Sequence, residues 1–251
     1  MDQQNNNQYP GAQPPPPKKQ RRQFENLMRR GEKIAGWIYL PIHIIALPLL
    51  LPTLLYLFNG GVSETDTLTM NVWYYLIGVV VLLVTQFRFF RDSFNVMTHN
   101  FRDALITMLI GYGILMAANI ALNLIISVFG SLPSSPNQDA VEALTEIDNR
   151  RMAAVGVIMA PIVEEMLFRG MIFGSIRKKS MVAAYLVSVV LFAVYHVWQY
   201  VVVSGSFELL LSAIAYVPIG FVLAFCYDRS GSIWTSIFFH MFYNALALTL
   251  S

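Results

Sequence analysis

Residues 152–175 read MAAVGVIMAPIVEEMLFRGMIFGS, a run of 24 residues in which only Glu164, Glu165 and Arg169 carry charge. About 20 apolar residues are enough for a helix to cross a bilayer at 1.5 Å per residue. An ionisable group at such depth is expensive, so it faces a bundle interior or a wet cavity and is functional by default. This stretch therefore predicts both a membrane helix and the place where the chemistry sits.

The rest of the chain fits that reading. Its 251 residues are 56% hydrophobic and 13% charged, whereas a soluble domain carries about a quarter charged residues. Apolar runs follow one another at helical length, which predicts an all-α polytopic membrane protein whose helices enclose a polar intramembrane cavity. The short alternating segments of a β-barrel are not seen. A net charge of +2 gives no nucleic-acid footprint. The single cysteine, Cys226, excludes an internal disulfide and a multi-cysteine metal site, and reads as a small buried apolar residue. Residues 1–33 are rich in Gln, Asn and Pro and then in Lys and Arg. They read as a disordered basic tail with no cleavable signal peptide, and the stretch around Phe24 and Leu27 as a candidate interfacial helix. The expected organisation is this tail, N-terminal spans and loops over 34–150, and a catalytic core over 151–251.

Seven spans are expected, at roughly 34–58, 70–88, 104–129, 152–176, 181–203, 207–227 and 232–250. Pro41, Pro48 and Pro52 in the first predict a kink, and an eighth span if that segment divides. Fourteen of the seventeen Lys and Arg then fall on one side, and Arg150 and Arg151 on the other with Glu64, Asp66, Asp139, Glu142, Glu146 and Asp148. The positive-inside rule makes the N-terminus cytoplasmic. Trp73, Tyr74 and Tyr75 fall at the outer interface, where an aromatic belt is expected.

The basic residue left over is Arg169, and the acidic ones are Glu164 and Glu165. Glu165 and Arg169 are i and i+4 with the acid first, the order that lets them neutralise each other. Glu164 is about 100° round the helix and is left free for chemistry. A buried glutamate with a cation nearby is a candidate general base. His196 lies four residues after Phe192 in span five, and Asn244 four after His240 in span seven. Counted from the cytoplasmic ends, Glu164, His196, His240 and Asn244 lie roughly 12–22 Å deep, which puts them in one layer. His43 reads as helix glue, and so do Asn119 and Asn123, which are alternatively cavity-lining.

Glu164–Arg169 (EEMLFR), Phe192–His196 (FAVYH) and His240–Asn244 (HMFYN), the last preceded by SGSIWTSIFF, resemble in order and helix placement the EExxxR, FxxxH and HxxxN motifs of a known family. This is the CAAX-protease and bacteriocin-processing family, also called Abi or type II CAAX prenyl endopeptidase-like. The motifs cover residues 150–251. The resemblance implies an intramembrane glutamate-type endopeptidase with a conical helical cavity. Glu164 would activate water, His196 would help to hold or deprotonate it, and His240 and Asn244 would stabilise the oxyanion. Glu165 and Arg169 would fix the helix, and Phe192 would support the site. The implied partners are the lipid bilayer and a membrane-associated peptide or protein, with no cofactor. The implied roles run from CaaX processing to bacteriocin maturation, self-immunity or peptide signalling, and a bacterial plasma membrane is the expected location. Two other readings stay open: a zinc peptidase with Glu164, His196 and His240 as ligands, and a non-catalytic scaffold or immunity protein. A transporter is disfavoured because the intramembrane charges sit on one helix and inverted repeats are not apparent.

Overall fold

The computed structural model describes residues 24–250, and among them there is no strand. Ten helices follow in order: α1 (Arg30–Asn59), α2 (Glu64–Thr85), α3 (Phe87–His99), α4 (Phe101–Phe129), α5 (Pro136–Ile147), α6 (149–176), α7 (Met181–Tyr195), α8 (Trp198–Ser204), α9 (Phe207–Ser230) and α10 (Ile233–Leu250). Large apolar side chains such as Trp37, Leu57, Val84, Leu109, Phe129 and Val203 are exposed on these helices. Only lipid makes such a surface favourable, so this is an all-α integral membrane protein.

Helix length and hydropathy qualify α1, α2, α4 and α9 as membrane-crossing; the α7–α8 pair, bent by 46°, is either a fifth, broken span or a re-entrant loop. The other two expected spans, α6 and α10, do not meet that measure, so among the described residues four or five of the seven expected spans qualify; α6 and α10 carry Glu164, Glu165, Arg169, His240 and Asn244. The first span does not divide. α1 runs unbroken for 30 residues, and a π-helical turn over Ile42–Ala46 follows Pro41 and absorbs the backbone mismatch. The fifth expected span is not continuous, because the chain breaks after Tyr195. His196 N and Val197 N bond back only three residues, to the Ala193 and Val194 carbonyls. The His196 side chain meanwhile takes the Phe192 carbonyl. The segment read as a loop between the second and third spans contains α3, whose Phe89, Phe90, Ser93 and Met97 are buried.

The helices meet in a core that draws on both halves of the chain: Tyr39, Leu82, Phe89 and Leu115 pack in one cluster with Met166, Phe168, Leu223 and Phe239. One end of the bundle is tied by polar contacts to α3. Glu32 accepts from Phe89 N at 2.8 Å, Gln86 donates to the Glu32 carbonyl at 2.7 Å, and Trp234 Nε1 donates to the Phe90 carbonyl at 2.8 Å. The expected disordered tail is corrected over 24–33. Phe24 packs edge-on against Phe173 and Tyr227, Asn26 and Met28 are buried, and α1 begins at Arg30. Residues 24–29 are not helical, so the expected interfacial helix around Phe24 and Leu27 does not form. Aromatic packing and burial of Met28 outweigh the polar composition of the segment. The expectation for residues 1–23 lies outside the described residues.

At the opposite end α5 lies over the bundle. Its N-cap Ser135 accepts from Gln138 N, and Leu144 is buried with Leu68 of α2 and Met152 of α6. The acidic stretch that follows Pro136 is thus a roof helix with one apolar anchor.

Candidate active site

Helix α6 alternates between α and π turns, with π segments at Ala154–Met159 and Met166–Phe173 on either side of Ala160–Glu165. π turns recur at functional sites because they re-aim side chains within a helix. Glu164, Glu165 and Arg169 are all buried here. Arg169 Nη1 donates to Glu165 Oε1 at 2.9 Å, so the expected i,i+4 pair forms. Arg169 Nη2 donates to the Gly220 carbonyl at 2.9 Å, and the guanidinium lies 4.2 Å above the Phe192 ring. A buried cation is tolerated with this many partners. Glu165 also accepts from the Ser236 hydroxyl and from His240 Nδ1, the latter at 2.9 Å, which ties α6 to α10.

Glu164 points the other way, into a cavity of about 940 Å³ that also takes in Phe192, His196, His240 and Asn244. Its Oε2 stands 3.9 Å from His196 Nε2 and 3.9 Å from His240 Nε2. Both imidazoles are fixed from behind. The Phe192 carbonyl can only accept, so His196 Nδ1 donates to it at 2.8 Å, and a neutral His196 keeps its Nε2 lone pair facing the cavity. His240 Nδ1 donates to Glu165 in the same way. Its Nε2 can donate into the cavity only when the ring carries both protons. Asn244 Nδ2 donates to the Gly156 carbonyl at 2.8 Å, which holds the amide at the wall. Phe192 contacts His196 and His240, with ring centroids 4.6 and 6.0 Å away. The seven residues of the three motif segments, Glu164, Glu165, Arg169, Phe192, His196, His240 and Asn244, thus meet in one place.

The aromatic belt is only partly there. Trp73 is exposed, but Tyr74 is buried and Tyr75 half-buried. The Tyr75 hydroxyl donates to Glu164 Oε1 at 3.0 Å. Tyr74 donates to the His43 carbonyl at 3.0 Å and stands 3.1 Å from the Tyr195 hydroxyl. These tyrosines were missed as site residues because an aromatic cluster near the end of a span reads as an interfacial anchor. Their spacing does hold one signal: on a helix Tyr75 shares a face with Asn71, and both line the cavity. His43 is buried against Tyr39 and stacks on Tyr74 at 4.2 Å. Asn119 is half-buried, Asn123 is exposed, and neither lines the cavity.

The fold and the site define a class: an integral membrane protein with a carboxylate, two imidazoles and an amide inside a chamber of about 940 Å³. Comparison with known proteins points the same way, since residues 148–246 match the family described as type II CAAX prenyl endopeptidase, Rce1-like. Over 100 residues the chain is 35% identical to "Putative membrane peptidase YdiL" of Bacillus subtilis (strain 168), a match covering 39% of this chain and 36% of the relative. The chain thus spans about a third of the length of that curated relative. No solved structure matches the chain. The resemblance carried by EEMLFR, FAVYH and HMFYN is met over the segment that holds α6 to α10. Tyr75, from α2, reaches the site from outside it.

Proposed function

We propose that this protein is an intramembrane glutamate-type endopeptidase acting on a membrane-associated polypeptide. The observation that carries this reading is the pair of 3.9 Å gaps between Glu164 Oε2 and the two Nε2 atoms. They are too wide for direct hydrogen bonds and suit one shared water. Such a water gives one proton to Glu164 and one hydrogen bond to His196 Nε2, leaving a lone pair for a scissile carbonyl carbon. Glu164 takes the proton as the C–O bond forms. His240, held by Glu165, and the second amide hydrogen of Asn244 face the oxyanion that forms. Glu164 then returns the proton to the departing nitrogen as the C–N bond breaks.

A bacterial plasma membrane and peptide maturation are the setting proposed, by analogy with the relative's description as a membrane peptidase. The same three side chains fit zinc poorly. Bonds of about 2.0–2.1 Å at tetrahedral angles put ligand atoms about 3.3 Å apart, and both Glu164–His pairs are wider, at 3.9 Å. Purified wild type and Glu164→Gln, incubated with a quenched peptide library with and without chelator, test the proposal. Cleavage by the wild type, lost in the variant and unchanged by chelator, is expected. Loss with chelator and recovery with zinc would replace the glutamate mechanism by a metal one. Full activity of Glu164→Gln in cells would leave the scaffold or immunity reading.

A further inference from the structure

The cavity has a side. Its lining comes from the C-terminal half of α1, from Leu47 to Pro52, and from the N-terminal half of α2, from Thr67 to Tyr75. On α6 it runs from Met152 to Glu164, and on α10 from His240 to Leu248. These half-helices share one end of the bundle, the end covered by α5, where Ser135 and Asn137 hydrogen-bond the Tyr216 hydroxyl at 2.7 and 3.2 Å. The rim includes Gln138, Glu142 and Glu146, which are exposed, and the floor is Glu164 and His240, which are buried. At the other end of the bundle are Arg29, Arg30, Lys33, Arg88, Arg91, Arg102, Arg177, Lys178, Lys179 and Arg229. There Arg29 pairs with Asp92 and Arg177 with Asp228. Among the described residues, the cavity rim end has only Arg150 and Arg151 against Glu64, Asp66, Asp139, Glu142, Glu146, Asp148 and Glu208. Membrane proteins keep their Lys and Arg excess in the cytoplasm.

From this we infer that the active-site cavity is entered from the non-cytoplasmic face, and that its substrates are unfolded segments of exported or membrane-inserted polypeptides on that face. The inference rests on the endopeptidase reading for the word substrate and on the fold for the side. Among the described residues the basic end contributes nothing to the cavity lining, so a cytoplasmic C-terminal tail is not the expected substrate.

Thiol labelling tests the side without needing catalysis. Cys226 is fully buried, so a cysteine placed elsewhere is the one that reacts. Gln138→Cys, Glu142→Cys and Lys178→Cys would each be expressed and treated in intact cells with a membrane-impermeant maleimide, before and after permeabilisation. Expected is full labelling of Gln138→Cys and Glu142→Cys without permeabilisation, and of Lys178→Cys only after it. The reverse pattern overturns the inference whether or not any peptide is cut. Right-side-out and inverted vesicles given quenched peptides from outside supply the second readout, with Glu164→Gln as background. Glu164-dependent cleavage confined to right-side-out vesicles is expected, and cleavage confined to inverted ones overturns the inference. Cleavage in neither would count against the endopeptidase reading, and the labelling would still decide the side.

Discussion

A carboxylate has two oxygens, and in this site they are divided: Oε1 of Glu164 accepts from Tyr75 and Oε2 faces the two imidazoles. The hydroxyl of Tyr75 therefore selects the rotamer that a water-activating base needs. A hydrogen bond to a charged group is worth about 1.5–3 kcal/mol, so Tyr75→Phe should lower kcat by roughly tenfold or more. KM should stay near wild type, as measured with the best library peptide. An unchanged kcat would remove Tyr75 from the site. Arg169 answers to a different test. Without it, Glu165 keeps its buried charge with only Ser236 and His240 as partners. Arg169→Leu should destabilise by about 3–5 kcal/mol, the cost of an uncompensated buried charge. Adding Glu165→Gln should recover part of the lost Tm in detergent, and a double variant less stable than Arg169→Leu would contradict the pairing. The charged residues of this site were legible because charge in an apolar run has few innocent explanations. Tyr75 was not, because an aromatic near a span end has a common one. Only the tertiary approach of α2 to α6 separates the two.

That approach is an element-scale property, and it depends on a glycine. A Cβ added at Gly78 of α2 would meet Val163 Cγ2 of α6 at 2.8 Å and His43 Cε1 of α1 at 3.2 Å. Val163 is fully buried and β-branched, so it cannot swing aside. Small residues where membrane helices approach closely serve this purpose. Gly78→Ala should cost about 1–3 kcal/mol by overpacking, and Val163→Ala in the same chain should restore much of it. Thermal unfolding in detergent checks both, and additive losses in the double variant would show that the two residues do not compete for the same space. Helix existence and order were legible from apolar run length. The break at His196 was not, because it follows from one imidazole taking the Phe192 carbonyl. Nor was α3, whose charged face gave it the look of a loop. Its apolar face becomes visible only once Ser232, just before α10, and Trp234 of α10 bond it.

At the scale of the whole molecule, the segment that resembles known peptidases, 148–246, does not form a closed unit. Its core is completed by Tyr39, Leu82, Phe89, Phe90 and Leu115. Its cavity needs walls from α1 and α2 and a roof from α5, and its base is held by Tyr75. The motifs alone suggested a catalytic core over 151–251, because chemistry-bearing residues cluster there and packing partners leave no such mark in sequence. A chain split between Ser131 and Leu132, ahead of the roof helix, tests the dependence. The C-terminal fragment expressed alone would leave Phe168, Leu223 and Phe239 without their partners from the first half. It should be degraded, as judged by its steady-state level on an immunoblot. Co-expressed with residues 1–131, it should be retained and co-purify, since two helical fragments can reassemble through the packing of their buried faces. Glu164-dependent cleavage should return only in the co-expressed pair. A C-terminal fragment that accumulated and cleaved peptide alone would show that the second half folds and works without the first, and that the Tyr75 contact is dispensable.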